Sequence, residues 1–330
     1  MKIIVDGMGG DKGPEEVVKG CIEAVNELDV NIIIVGKKDI IEGELIKYKF
    51  SKDTIDIIDA SEVISNDEEP TIAIRRKKDS SMVVGLRALI AGKGDGFVSA
   101  GSTGALLAGG LFIVKRIKGI ERAALTTVYP TTNGMSLLLD AGANIDCKPK
   151  YLEQFATMGS IYSERVLGVK DPKVGLANIG TEEGKGNALT KESYNLIKDL
   201  DINFIGNVEA RDLPKGVADV IVCDGFVGNI ILKLTEGMAI SIFSLLKDEF
   251  TKSLKSKIGA LMLKPQLKSF KGKLDYREYG GAPLLGVKQP VFKAHGSSDA
   301  LAIKNAIKQL KSFIEVDVIN TIENYINDNE

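Results

Sequence analysis

The stretch KIIVDGMGGDKGPEEVVKGCIEAVNELDVNIIIVG, residues 2–36, decides the fold. Lys2 to Asp6 is a short apolar strand running into Gly7, Gly9 and Gly10. Beyond Pro14, apolar residues recur at helical spacing (Val17, Val18, Cys21, Ile22, Val25, Leu28), and Asn31 to Gly36 is apolar again. Proline just inside a helix start, with glycines before it, marks a strand, a tight turn and a helix in succession. Strands without polar alternation are buried on both faces, which points to a parallel sheet covered by helices above and below.

The same alternation of strand and helix extends along the chain. Thr54 to Ala60 reads as a third strand, a helix is expected from about Ser81 to Ile90, and Gly96 to Ala100 is a strand. Gly101-Ser102-Thr103-Gly104 then opens a helix reaching about Ile117. Ala123 to Val128 and Met135 to Asp140, joined by Pro130 to Gly134, read as an antiparallel hairpin. A helix near Pro149 to Val166 comes next, then a strand at Lys173 to Ile179 and a helix from Asn187 to Leu200. Strands at Ile202 to Ile205 and Val217 to Cys223 lead to a long helix over Val227 to Phe250, and two helices close the chain, Asp299 to Phe313 and Val316 to Ile326. Nothing has linker composition. The expectation is one doubly wound, three-layer α/β/α domain over residues 1–330, its mostly parallel sheet interrupted by an antiparallel pair.

Composition narrows the function. A net charge of −2 offers no overall basic field for nucleic acid. Cys21, Cys147 and Cys223 lie far apart and are odd in number, so neither a disulfide framework nor a structural zinc is indicated. His295 is the single histidine, which rules out a multi-histidine metal site. No metal or cofactor is called for. The start of the chain enters a strand directly, without signal-peptide features, and a cytoplasmic location is expected. The longest apolar run, Ala105 to Val114, is about half of the ~20 residues that cross a bilayer, so no spanning segment is expected. Seven lysines and no acid fall within residues 251–273, a basic helical insertion. Its Leu254, Ile258, Leu261 and Met262 share one helical face, with Pro265 ending the pattern. That face suits an anionic membrane surface or an acidic protein, or simply an oligomer contact.

Several strand ends could carry chemistry. Asp6, Gly9, Gly10 and Asp11 cluster after the first strand, but Lys12 stands where a dinucleotide fingerprint needs glycine. They form either a site or a packing turn. Gly101 to Gly104 could hold a phosphate on free N–H groups at a helix start, or Ser102 or Thr103 could merely cap that helix. Lys185, framed by Gly184 and Gly186, is a candidate point charge for an anion, though solvated lysines are common. Asn229 sits in the first turn of the long helix, and His295 at a strand-to-helix junction; both have plain structural alternatives.

Taken together, VDGMGGD (5–11), SAGSTGA (99–105), LLLDAGANIDCKP (137–149), NIGTEEGKGN (178–187), CDGFVGN (223–229), EYGGAPLLGV (278–287) and AHGSSD (294–299) resemble the bacterial phosphate acyltransferases, the PlsX family. Lys12 and Ser102 depart from that pattern, where histidine and asparagine are common. The resemblance implies conversion of acyl-acyl-carrier-protein and inorganic phosphate to acyl phosphate for phospholipid synthesis. It also implies a homodimer, a fold similar to isopropylmalate dehydrogenase and phosphotransacetylase, membrane contact through the basic segment, and delivery of product to a membrane glycerol-phosphate acyltransferase. A related enzyme using acyl-CoA is the alternative.

The residues suit that reaction. Phosphate, with a second ionisation near about 6 to 7, is already largely a dianion, so no strong base is needed. The leaving thiol, with a pKa of about 8.5, needs little help to depart. Orientation and oxyanion stabilisation remain. On this reading Gly101, Ser102, Thr103 and Gly104 bind phosphate, Lys185 neutralises charge, Asn229 donates to the carbonyl oxygen and His295 to the leaving sulfur.

Overall fold

The computed structural model describes residues 1–273 and 280–328, so Glu278 and Tyr279 of the sixth motif lie outside the described residues. The chain opens with β1 (Lys2–Asp6), α1 (Gly13–Glu27), β2 (Asn31–Gly36), α2 (Lys38–Leu45), β3 (Ile55–Asp59), α3 (Pro70–Arg76), α4 (Ser81–Ile90) and β4 (Gly96–Ser99). After these come α5 (Thr103–Gly109), prolonged by a π turn at Gly110–Val114, then β5 (Ala124–Leu125), β6 (Thr127–Thr131) and β7 (Gly134–Leu139). The middle of the chain forms α6 (Pro149–Arg165), β8 (Val174–Asn178), α7 (Ala188–Lys198), β9 (Phe204–Glu209), β10 (Val220–Val222) and α8 (Gly225–Thr251). The remainder is α9 (Leu254–Met262), α10 (Lys264–Lys273), β11 (Ala282–Leu285), β12 (Val291–Lys293), α11 (Ala300–Glu315) and α12 (Val318–Asp328).

These strands build two sheets where one was expected: β3-β2-β1-β4-β12-β11-β5 and β6-β7-β10-β8-β9. The first is parallel from β3 to β12. In the second, β6 and β7 form the expected antiparallel pair, joined through Thr132 and Asn133, but the expected strand Ala123 to Val128 is divided: Ala124–Leu125 is β5, which pairs with β11 at the edge of the first sheet. Pro130 belongs to β6 itself, tolerated because β6 is an edge strand.

Alternate residues of the first strands go to opposite faces, as the pleat requires. Ile3, Val5, Ile32 and Ile34 pack with Val18, Cys21, Ile303 and Ile307, whereas Ile4, Ile33 and Val35 pack with Met82, Leu86, Leu89 and Leu106. This is the three-layer arrangement. The first of these clusters runs on through Leu152 and Phe155 of α6 to Leu137, Val174 and Val220, so one apolar core joins both sheets. The other face of the second sheet meets Ile231 and Leu232 of α8.

Beyond these contacts α8 projects with Leu234, Met238, Ile240 and Leu245 exposed. Of the described helices it is the one long and apolar enough, by length and composition, to cross a membrane. In the basic insertion, Pro265 lies in the first turn of α10, so it separates two helices and does not simply end one.

Candidate active site

Three turns meet at the carboxyl ends of the adjacent strands β1, β4 and β12. Asp6, fully buried, accepts from the Ser99 hydroxyl at 2.7 Å and from the Met8 N–H at 3.2 Å, and Ser99 Oγ accepts in turn from the Gly101 N–H at 3.0 Å. Burial pushes the Asp6 carboxyl above its ordinary range, and these donors, with Ser81, pull it back. Gly9 must be glycine: a Cβ there would lie 2.6 Å from the Gly101 nitrogen. Gly10, at φ +96°, passes close to the Gly296 carbonyl, which accepts from the Asp11 N–H at 2.7 Å. Asp6, Gly9, Gly10 and Asp11 thus wedge the first turn between the other two, and none of them lines the cleft above.

That cleft, of about 370 Å³, is walled by α5, the β5–β6 segment, the turn after β7, α8 and the turn after β12. It brings together Thr103, Gly104, Asn229 and His295. Ser102 instead caps α5, its hydroxyl accepting from the Ala105 N–H at 3.4 Å. Leu107, Leu125, Val128, Leu232 and Ala239 make an apolar wall. Tyr129 and Thr235 hydrogen-bond across it at 3.1 Å.

Asn229 is placed by a carboxylate beneath it. Asp140 accepts from the backbone N–H groups of Leu125, Gly142, Ala143 and Asn144, the last at 2.6 Å, and from Asn144 Nδ2 at 2.8 Å. Gly225, at the start of α8, donates to the Asn144 carbonyl at 2.7 Å. Gly142, at φ +132°, lies so near Asn229 that a Cβ would come within 3.3 Å of its Nδ2. A buried acid therefore fixes both the loop and the helix start.

In the third turn, His295 Nδ1 accepts from the Ser297 N–H at 3.2 Å and lies 2.8 Å from the Ser297 hydroxyl. The backbone donor assigns the neutral ring's proton to Nε2. Desolvation holds its pKa below the ordinary 6.5, so at pH 7 the ring is a neutral donor.

Lys185 stands apart. It is exposed in the β8–α7 loop and is not among the cleft-lining residues, although that loop shares the strand-end edge of the second sheet with Gly142 and Asn229. Lys233, Glu236 and Lys293 line the cleft and were missed in the sequence. For Lys293 a signal existed: a lone charge closing the apolar run Val291-Phe292. Among the described residues no cluster of His, Cys, Asp or Glu could hold a metal.

The fold is that of the phosphotransacetylases. A Streptococcus pyogenes phosphotransacetylase superposes with a TM-score of 0.65 at 19% identity over 97% of this chain and 94% of that one. The Staphylococcus aureus EutD phosphotransacetylase gives 0.63 at 18% over 96% and 94%. Sequence comparison is more specific. The family described as fatty acid synthesis protein matches residues 1–321. The phosphate acyltransferases of Alkaliphilus oremlandii and Clostridioides difficile are 60% and 55% identical, covering 98% and 99% of this chain and 96% of each relative. This chain belongs to the phosphate acyltransferase family.

Proposed function

We propose that the cleft transfers an acyl group from acyl-acyl-carrier-protein to inorganic phosphate for phospholipid synthesis. The observation that carries this reading is the pairing, in one 370 Å³ cleft, of a polar floor bearing Thr103, Gly104, Asn229 and His295 with an apolar wall suited to an acyl chain. A phosphate oxygen attacks the thioester carbonyl carbon, the C=O electrons move onto oxygen, and collapse expels the thiolate of the carrier. Backbone and hydroxyl donors of Thr103 and Gly104 orient the dianion; Gly101, whose N–H is taken by Ser99, and Ser102, through its cap, shape the turn that presents them and do not line the cleft. Asn229 donates to the oxyanion, and His295 Nε2–H to the departing sulfur. Lys185, exposed in the β8–α7 loop outside the cleft, neutralises charge from the strand-end edge of the second sheet. No cofactor enters the scheme.

Residues 1–330 act as one catalytic unit in this reading, with 251–273 as a membrane-facing insertion. The spacing of Val227, Ile230, Leu234, Met238 and Leu245 on α8, all exposed, supports a homodimer built on that helix. A bilayer is a poorer match for α8, because its cleft side carries Asn229 and the Lys233–Glu236 ion pair at 2.8 Å. The enzyme is then peripheral, cytoplasmic, and able to hand acyl phosphate to a membrane glycerol-phosphate acyltransferase.

The test is incubation with acyl-acyl-carrier-protein and phosphate, trapping product as hydroxamate with hydroxylamine. Phosphate-dependent hydroxamate is expected; its absence with the carrier-protein thioester but presence with acyl-CoA would transfer the reading to a phosphotransacetylase-like enzyme.

A further inference from the structure

Lys293 ends β12 in register with Ser99 of β4, following Val291 and Phe292, both buried. Only 8% of it is exposed, yet it lines the cleft. Its ammonium donates to the Ala100 carbonyl at 3.2 Å and to the Ala294 carbonyl, so it ties the second turn to the third. An ammonium has three N–H donors, and two neutral carbonyls account for two of them. Asp6 and Asp11 face it from β1 and the turn after β1, and Lys233 from α8. None of the ion pairs among the described residues includes it, and the carboxylate of Asp6 is engaged with Ser99 and Met8.

A buried cation without an ion-pair partner is costly unless an anion comes to it. Burial accordingly lowers its pKa to about 8, against the opposing pull of Asp11 and Asp6. The incoming anion can be identified by its chemistry. Thr103 and Gly104 open α5 on the same cleft wall, and Lys293 is joined to the residue just before Gly101, so the third donor serves a small multivalent oxyanion at this floor.

We propose that Lys293 is a substrate-binding residue that donates its remaining N–H to inorganic phosphate and sets the affinity for it. The inference rests on the acyl-transfer reading for its substrate, but binding can be measured without turnover. Titration of the full-length protein with inorganic phosphate in a calorimeter should show Lys293→Met weakening binding by about 10- to 100-fold, the range of a charged hydrogen bond. In turnover, KM for phosphate should rise by the same factor while KM for the acylated carrier stays within about twofold. A purely structural tie between turns would move both constants. Unchanged phosphate binding in a folded Lys293→Met variant overturns the proposal.

Should that variant fail to fold, the native protein decides. Above about pH 8, where Lys293 loses its proton, the phosphate Kd should climb about tenfold per pH unit. Phosphate is already a dianion there and His295 already neutral, so a Kd constant to about pH 9.5 overturns the proposal as well. Phosphate binding that depends on Lys293 in a protein making no acyl phosphate would leave this inference standing and remove the reaction.

Discussion

Asn229 and Gly9 show how single residues carry the site in opposite ways. Asn229 is exposed at the start of α8 and its side chain supports nothing beneath it, so Asn229→Ala should fold normally. Its turnover should fall by about 100- to 1000-fold, the loss of one oxyanion donor; steady-state assays check this. Gly9 touches no substrate, but a methyl group there meets the Gly101 nitrogen at 2.6 Å and Asp6 Oδ2 at 2.9 Å. Gly9→Ala should cost about 1–3 kcal/mol of stability through overpacking and displace the second turn, seen as a lower Tm together with weaker phosphate binding. Lys185→Ala should remain folded and lose most of its turnover; near-normal rates would remove this lysine from the reaction. His295 leaves no pH signature of its own. Its pKa lies below 6.5, so the neutral ring predominates at pH 7, and the proton gained on acidification goes to Nδ1 and leaves the Nε2–H donor in place. The acid limb of the turnover profile should therefore follow the second ionisation of phosphate, near about 6 to 7, and persist in His295→Gln; an acid limb that vanishes in that variant would assign it to the ring.

At the scale of elements, the informative helices are those the core leaves uncovered. Leu254, Ile258, Leu261 and Met262 of α9 are all exposed, and α9 has no buried residue. Each leucine set into a bilayer surface is worth about 1.5–3 kcal/mol, and each nearby lysine about 1 on anionic lipid. Leu254→Glu combined with Leu261→Glu should abolish sedimentation with anionic vesicles while turnover in solution persists. The helix itself was legible because its apolar spacing and Ser253/Ser256 capping box are local. The role of Pro265 was not. Proline ends a helix as seen from one side and begins one as seen from the other, and only the packing of the next segment selects between them.

For the whole molecule, the cleft lies where two sheets sharing one apolar core present their strand ends to each other. A ligand held there by the native state alone must stabilise all of it. Phosphate at about 100 times its Kd should add about 2.7 kcal/mol, read as a rise in Tm that sulfate reproduces in part and Lys293→Met diminishes. Strands β1 to β4, β7, β8 and β10, the glycine turns and the length of α8 could be read directly, since each depends on residues within a few positions of one another; β11, and the break that separates β5 from β6, could not. The partition into two sheets could not, because β12 finds β4 from nearly the other end of the chain. The same holds for Ser102, whose hydroxyl serves its own helix, and for Lys185, which the loop after β8 holds outside the cleft.

The order of amino acids alone determined the α/β alternation, the burial of its strands and the family, for these reside in periodicity and in short motifs. Tertiary structure alone decided which turns converge and which charge they enclose. Lys293 reaches the Ala100 carbonyl across 193 positions, and the burial that makes an ordinary lysine into an anion-binding group exists only once those distant strands are side by side.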